Sequence, residues 1–116
     1  MKSLRNSVHL LGRLGKDPDV KMFNGNKRAS FSMATNDWYK NQKGEKVDDT
    51  QWHYVVIWGP LAEVAEKYLK KGQEVLIEGR VTYRDYEDEG GKRSITEIVV
   101  NDLVLLGKSP QEDASH

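Results

Sequence analysis

The chain has 116 residues, the size of one ordinary domain, and its 18 Lys plus Arg balance 18 Asp plus Glu to a formal net charge of zero. The absence of cysteine excludes a disulfide framework, thiolate zinc sites and Cys nucleophiles together. No apolar run approaches the ~20 residues that cross a bilayer, and no h-region with a small-residue cleavage site opens the chain, so no membrane partner and a cytoplasmic location are expected. The zero sum hides an asymmetry. Residues 1–46 carry 10 basic and 4 acidic residues, residues 47–116 carry 8 and 14. A basic face is therefore compatible with neutrality, although an evenly mixed surface gives the same total.

In chain order, Val8, Leu10 and Leu14 alternate with more polar neighbours and read as a first strand, with Gly12 marking a bulge or sharp bend. Val20 to Phe23 forms a short extension closed by Asn24-Gly25, a strong hairpin signal. Ala29, Phe31 and Met33 mark a second strand. Residues 37–50 are polar and read as a long exposed hairpin loop with Trp38 near its base. Residues 52–58 form a third strand, with Trp52, Tyr54, Val56 and Trp58 on one face and His53, Val55 and Ile57 on the other. Gly59-Pro60 opens a helix whose buried face is expected to be Leu61, Val64, Ala65, Tyr68 and Leu69, with Gly72 as its stop. Residues 74–86 and 94–106 alternate as two further strands around an acidic turn at Asp85, Glu87, Asp88 and Glu89. Residues 108–116 are a short polar tail, expected to be disordered.

One short helix cannot cover a parallel sheet. The pattern predicts an all-β domain over residues 1–107: a five-stranded OB-fold Greek-key barrel, with the helix between the third and fourth strands plugging one end.

The aromatics carry the chemistry. Trp52, Tyr54 and Trp58 share the strand face that the core does not use, Tyr86 follows Arg80 and Arg84 on the polar face of its strand, and Trp38 stands outside the core pattern. Rings set among cations suit stacking on unpaired nucleobases, worth ~1–3 kcal/mol per base whatever the sequence. The alternative is that these rings fill a core or a subunit interface. Arg13, Lys16, Lys21, Lys27, Arg28, Lys40, Lys43, Lys46, Arg80 and Arg84 are candidates to follow phosphates. No enzyme is expected: the acids fall at turns, His9, His53 and His116 lack a metal-ligand spacing, and there is no nucleophile triad and no Gly-rich phosphate loop. No metal or cofactor is called for. The first strand should leave an edge near Val8 and Leu10, a reasonable two-fold contact.

The chain also resembles a known family, the bacterial-type single-stranded DNA-binding proteins. The resemblance is carried by Leu11-Gly12-Arg13-Leu14-Gly15-Lys16-Asp17-Pro18, Phe31-Ser32-Met33-Ala34-Thr35-Asn36, Trp52-His53-Tyr54-Val55-Val56-Ile57-Trp58-Gly59, Tyr68-Leu69-Lys70-Lys71-Gly72, Ile77-Glu78-Gly79-Arg80 and Thr96-Glu97-Ile98, in order from about Asn6 to Gly107.

The resemblance implies an OB-fold subunit of a homotetramer that binds and protects single-stranded DNA in replication, recombination and repair, in the cytoplasm at the nucleoid. It places stacking aromatics at Trp38, Trp52, Trp58 and Tyr86, strand-contacting cations at Lys21, Lys71, Arg84 and Arg5, and His53 toward subunit contacts. Pro60 stands where many members have Lys. Family members also continue to an acidic tip with a hydrophobic end that recruits replication and repair proteins. Here Glu112 and Asp113 are too few and no such end follows, which leaves that route open.

Overall fold

The computed structural model describes residues 5–106; the tail expected over 108–116 lies outside the described residues. Seven elements follow one another: β1 (Val8–Leu14), β2 (Asp19–Phe23), β3 (Asn26–Lys40), β4 (Lys46–Trp58), α1 (Pro60–Tyr68), β5 (Glu74–Asp88) and β6 (Gly91–Leu106). The sheet order is β1-β5-β6-β4-β3-β2, and β1 pairs back onto β3. Five strands thus close the expected barrel. The short extension 19–23 is a sixth strand, hairpinned onto β3 through Asn24-Gly25, so α1 follows the fourth strand by count.

Closure rests on two residue pairs, Arg13 with Ala34 and Leu14 with Met33. Gly12 makes this approach possible, because a Cβ there would collide with the Ala34 carbonyl. The sharp bend expected at this glycine is the point where the barrel shuts.

Inward residues of every barrel strand meet in one core: Leu14, Ala29, Phe31, Met33, Val55, Ile57, Val75, Ile77, Ile98 and Val100. Each large side chain fully buried here contributes ~1.5–3 kcal/mol. Truncating a central one, such as Ile77→Ala, should cost about 2–5 kcal/mol.

Helix α1 starts at Pro60 after Gly59, whose φ of 75° turns the chain out of β4. Its fully buried residues are Ala62 and Ala65, while Tyr68 is 58% exposed. Of the expected stripe, Ala65 and Leu69 are buried, Leu61 packs on the core and Val64 is half-buried, whereas Tyr68 is carried to the rim and Ala62 takes its place, the alanines letting the helix axis approach the barrel end closely. The helix also stops at Tyr68, earlier than expected. Leu69 is extended and buried, and its N–H closes the last turn on the Ala65 carbonyl at 2.9 Å. Lys27 ties β3 to the helix, with Nζ 2.7 Å from Glu66 Oε1 and 3.9 Å from Glu63 Oε1. The hydrogen bond to Glu66 raises the Lys27 pKa above its ordinary value.

Candidate nucleic-acid interface

β3 and β4 pair without a break over thirteen positions, from Arg28 opposite Trp58 to Lys40 opposite Lys46. Side chains alternate across a strand, so even-numbered residues of both strands share the outward face for the whole length. That parity sends Phe31, Met33, Val55 and Ile57 into the core. It sends Trp38, Trp52, Tyr54 and Trp58 outward, and the three Trp are 52%, 62% and 43% exposed. The alternative of core packing is overturned for them, because solvent reaches each indole.

Residues 37–50 are not a loop. The β3–β4 ladder runs on to Lys40 and Lys46, leaving only a tight turn at 41–45. Polar composition hid this arm, because a ribbon outside the barrel needs no inward apolar face. Trp38 therefore stands on a strand, with Lys46 Nζ 5.2 Å from its ring centre. The opposite side of the arm carries Asp37 facing Asp49. Lys40, Lys46 and the indole share one side, where Asp48 also stands directly opposite Trp38, while Asp37 and Asp49 lie on the other.

Trp58 anchors one end of the face. Arg28 lies directly across the ladder, its guanidinium carbon 5.8 Å from the Trp58 ring centre, 5.7 Å from Phe23 and 6.0 Å from Tyr54. Phe23 meets Trp58 edge-on at 5.9 Å. Tyr54 is half-buried and accepts a 2.9 Å hydrogen bond from Arg28 on its hydroxyl. Lys21 sits opposite Arg28 on β2, on the same face, 3.7 Å from Asp19.

Glu97 joins this end to the second arm. Its carboxylate is 10% exposed, with Arg28 at 3.6 Å and Arg84 at 3.4 Å. Beyond it the β5–β6 hairpin extends outward to Asp88 and Gly91. One side of that hairpin bears Arg84, Tyr86 and Arg93; the other bears Tyr83, Asp85 and Glu87. Tyr86 is 42% exposed and lines a cleft of about 420 Å3 with Asp85, Glu87, Lys92, Arg93 and Ser94. Asp88 is paired with Arg93 at 3.4 Å. The acidic turn is thus neutralised at Asp88, while Asp85 and Glu87 border the Tyr86 cleft. Arg80 is exposed on the outward row, opposite Val99.

Trp52 holds the middle. Its ring lies against Gly15, where a Cβ would come within 2.6 Å of it. Arg13 shares the outward row through Ala34, but its guanidinium already donates to the Gly72 carbonyl at 3.0 Å and lies 3.8 Å from Glu74. Lys71 is exposed just past the helix, and its backbone N–H is held by Asp17 at 2.7 Å. Arg5 is exposed beside Asn6, which clamps β5 by two hydrogen bonds with Val81 at 2.8 and 2.9 Å.

The residues expected at a subunit contact lie away from the indole face. Val8 and Leu10 are half-buried and packed against the core. His53 is half-buried on the side of β4 away from the indoles, its Nε2 3.0 Å from Thr35 Oγ1. On β1 only residues 13–14 pair with β3, so the other backbone edge of 8–12 has no strand beside it among the described residues. The outer face of β1, β5 and β6 carries Leu11, Leu76 and Val104 as one exposed row of direct cross-strand neighbours. Among the described residues, no group of three or more His, Asp or Glu is placed to hold a metal ion.

Phe23 and Glu97 were given no role at the site by sequence, Glu97 standing there only within the motif Thr96-Glu97-Ile98. Phe23 could have been found from the hairpin register that its Asn24-Gly25 turn implies. Glu97 could not, because alternation in an Ile/Val-rich strand does not show that a neighbouring strand will shelter its polar side.

The family model described as "Single-strand binding protein family" matches residues 5–106. A single-stranded DNA-binding protein of Neisseria meningitidis serogroup B is 42% identical over 104 residues, covering 88% of this chain and 60% of the relative. The single-stranded DNA-binding protein 1 of Chlorobaculum tepidum is 41% identical over 105 residues, with 88% and 65% covered. The chain thus spans about three fifths of the length of these curated relatives. Among solved structures, the Plasmodium falciparum SSB in complex with ssDNA superposes with a TM-score of 0.82 at 36% identity, covering 92% of this chain and 98% of that one.

Proposed function

This chain belongs to the single-strand binding protein family, and from that premise we propose that it binds and protects single-stranded DNA without sequence-wide selectivity. It does so as a binder, making and breaking no bond, in replication, recombination and repair. The observation that carries the reading is the single outward face on which Trp38, Trp52 and Trp58 stand exposed in one ladder, each beside cations or a turn that fixes it. Each ring offers a π-face to a base, worth ~1–3 kcal/mol, and every base has such a face. Tyr54 and Tyr86 extend the path. Arg80, Lys71 and Arg5 neutralise phosphates; Arg13, Lys21 and Arg84, engaged by Glu74, Asp19 and Glu97, add less. The nucleoid is the corresponding place of work, and no helix among the described residues is long and apolar enough to cross a membrane.

Assembly is part of the proposal. The bare edge of residues 8–12 suits antiparallel pairing with a second copy across a two-fold axis, through the backbone of Val8 and Leu10 rather than their side chains. The Leu11-Leu76-Val104 row suits face-to-face packing of two such pairs. Two isologous contacts on different surfaces build a homotetramer. His53 lies outside both surfaces.

Titration of the protein with oligo-dT, followed by Trp fluorescence at several salt concentrations, tests the reading. Stacking should quench emission, and log K should fall linearly with log salt, by about 0.7 per neutralised phosphate. Emission unmoved by oligo-dT would refute it.

A further inference from the structure

We infer that the cavity beside Trp58 is a guanine-preferring subsite within the single-stranded DNA interface, an inference that rests on the function proposed above. The cavity holds about 230 Å3, room for one purine, and is lined by Phe23, Arg28, Val56, Trp58, Arg84 and Glu97. Stacking accounts for the rings but not for Glu97. A carboxylate on a strand-binding face repels phosphate, and sheltering it is costly unless it is paired. The two arginines that pair it are not equivalent. Arg28 has a side chain 16% exposed and is fixed by its 2.9 Å bond to Tyr54. Arg84 is 55% exposed. It meets the carboxylate as a planar fork, Nε donating to Oε1 at 3.4 Å and Nη2 to Oε2 at 3.5 Å. Both contacts are at the long limit of hydrogen bonding, so this guanidinium is readily exchanged.

The carboxylate therefore presents two side-by-side acceptors to an exchangeable planar donor. Guanine is the one DNA base whose free Watson–Crick edge offers two adjacent N–H donors, N1–H and N2–H. Thymine has a single N–H between two carbonyls. Cytosine and adenine set one amino group beside a ring-nitrogen acceptor, which would face the second carboxylate oxygen. A guanine stacked at Trp58 takes the place of the Arg84 fork on Glu97. Arg28, on the same carboxylate, is the donor available to guanine O6. Arg84, once released, is free for a phosphate. The carboxylates at the other rings, Asp48 opposite Trp38 and Asp85 and Glu87 at the Tyr86 cleft, are exposed to water and are not held between two arginines, so selectivity is confined to this position.

The test uses short oligo-dT strands carrying one central dG, dA, dC or deoxyinosine, in competition for the wild-type protein. A bidentate base contact discriminates by roughly one to two orders of magnitude, and displacement of Arg84 reduces this, so dG should bind about five- to tenfold tighter than dA or dC. Deoxyinosine, which lacks the 2-amino group, should lose most of that gain, and Glu97→Gln should bring the dG-to-dA ratio to about one. Equal affinity for dG and dA, deoxyinosine matching dG, or a preference that survives Glu97→Gln would each overturn the inference. The strand-side comparison needs no variant to fold. Absence of any oligo-dT binding would overturn both readings, whereas equal affinities for all four bases would overturn this one alone.

Discussion

The Trp52 ring lies so close over Gly15 that a Cβ on the glycine would come within 2.6 Å of an indole carbon. Gly15 is in turn fixed by its N–H bond to the Ser32 carbonyl at 2.8 Å. The β1–β2 turn thus acts as a shelf that sets the tilt of an exposed ring. Gly15→Ala should push the indole aside while leaving the fold intact. Weaker oligo-dT binding, bounded above by the ~1–3 kcal/mol of one stacked base, is expected together with a shifted Trp emission spectrum. Affinity and emission both unchanged would show that the shelf has no such role.

Removing the rings themselves gives a larger and graded effect. Trp52→Ala and Trp58→Ala should each cost on the order of 1–3 kcal/mol in oligo-dT affinity, with thermal stability little altered because both side chains are outside the core. Trp58→Ala should also loosen Phe23 and Arg28, so its loss should be the greater of the two. Isothermal titration decides; an affinity unaffected by either change would remove that ring from the binding path.

Cation positions separate by salt dependence. Arg80→Ala should flatten the slope of log K against log salt by about 0.7, whereas Arg13→Ala and Lys21→Ala should change it less, since Glu74 and Asp19 already share their charge. Three equal slopes would contradict this ordering.

The Lys27 bridge to Glu66 and Glu63 gives a pH signature. Its pKa is raised in the folded chain, so the stabilisation is fully present below the ordinary lysine value of about 10.4 and is lost as pH rises through the raised value. Melting temperatures of wild type and Lys27→Met should differ at pH 8 and converge only as pH passes above the raised Lys27 value. A gap that persisted at high pH would mean that packing, not charge, ties β3 to α1.

Leu76 stands at the centre of the exposed apolar row. Leu76→Arg should leave each subunit folded and reduce the assembly to a smaller oligomer, read by light scattering. A tetramer that tolerates this charge would place the contact elsewhere.

Much of this was legible in the chain itself. Strict alternation at residues 52–58 separated Trp52, Tyr54 and Trp58 from Val55 and Ile57, because a strand's period of two assigns faces before any partner is known. Asn24-Gly25 gave the hairpin, and Gly59-Pro60 gave the helix start. The arm at 37–50 was not legible, since a solvated ribbon has no core-facing pattern to betray it. Tyr68 was misplaced because periodicity gives a helical stripe's width but not which edge of it meets a barrel.

The order of residues along each strand determined which rings face outward and which side chains make the core, since that depends only on local geometry. Only the closed barrel decided the company they keep: Glu97 between Arg28 and Arg84, Trp52 on Gly15, Leu11 beside Leu76. Those contacts join strands far apart in the chain, and their distances follow from register, twist and closure, which are properties of all the strands at once.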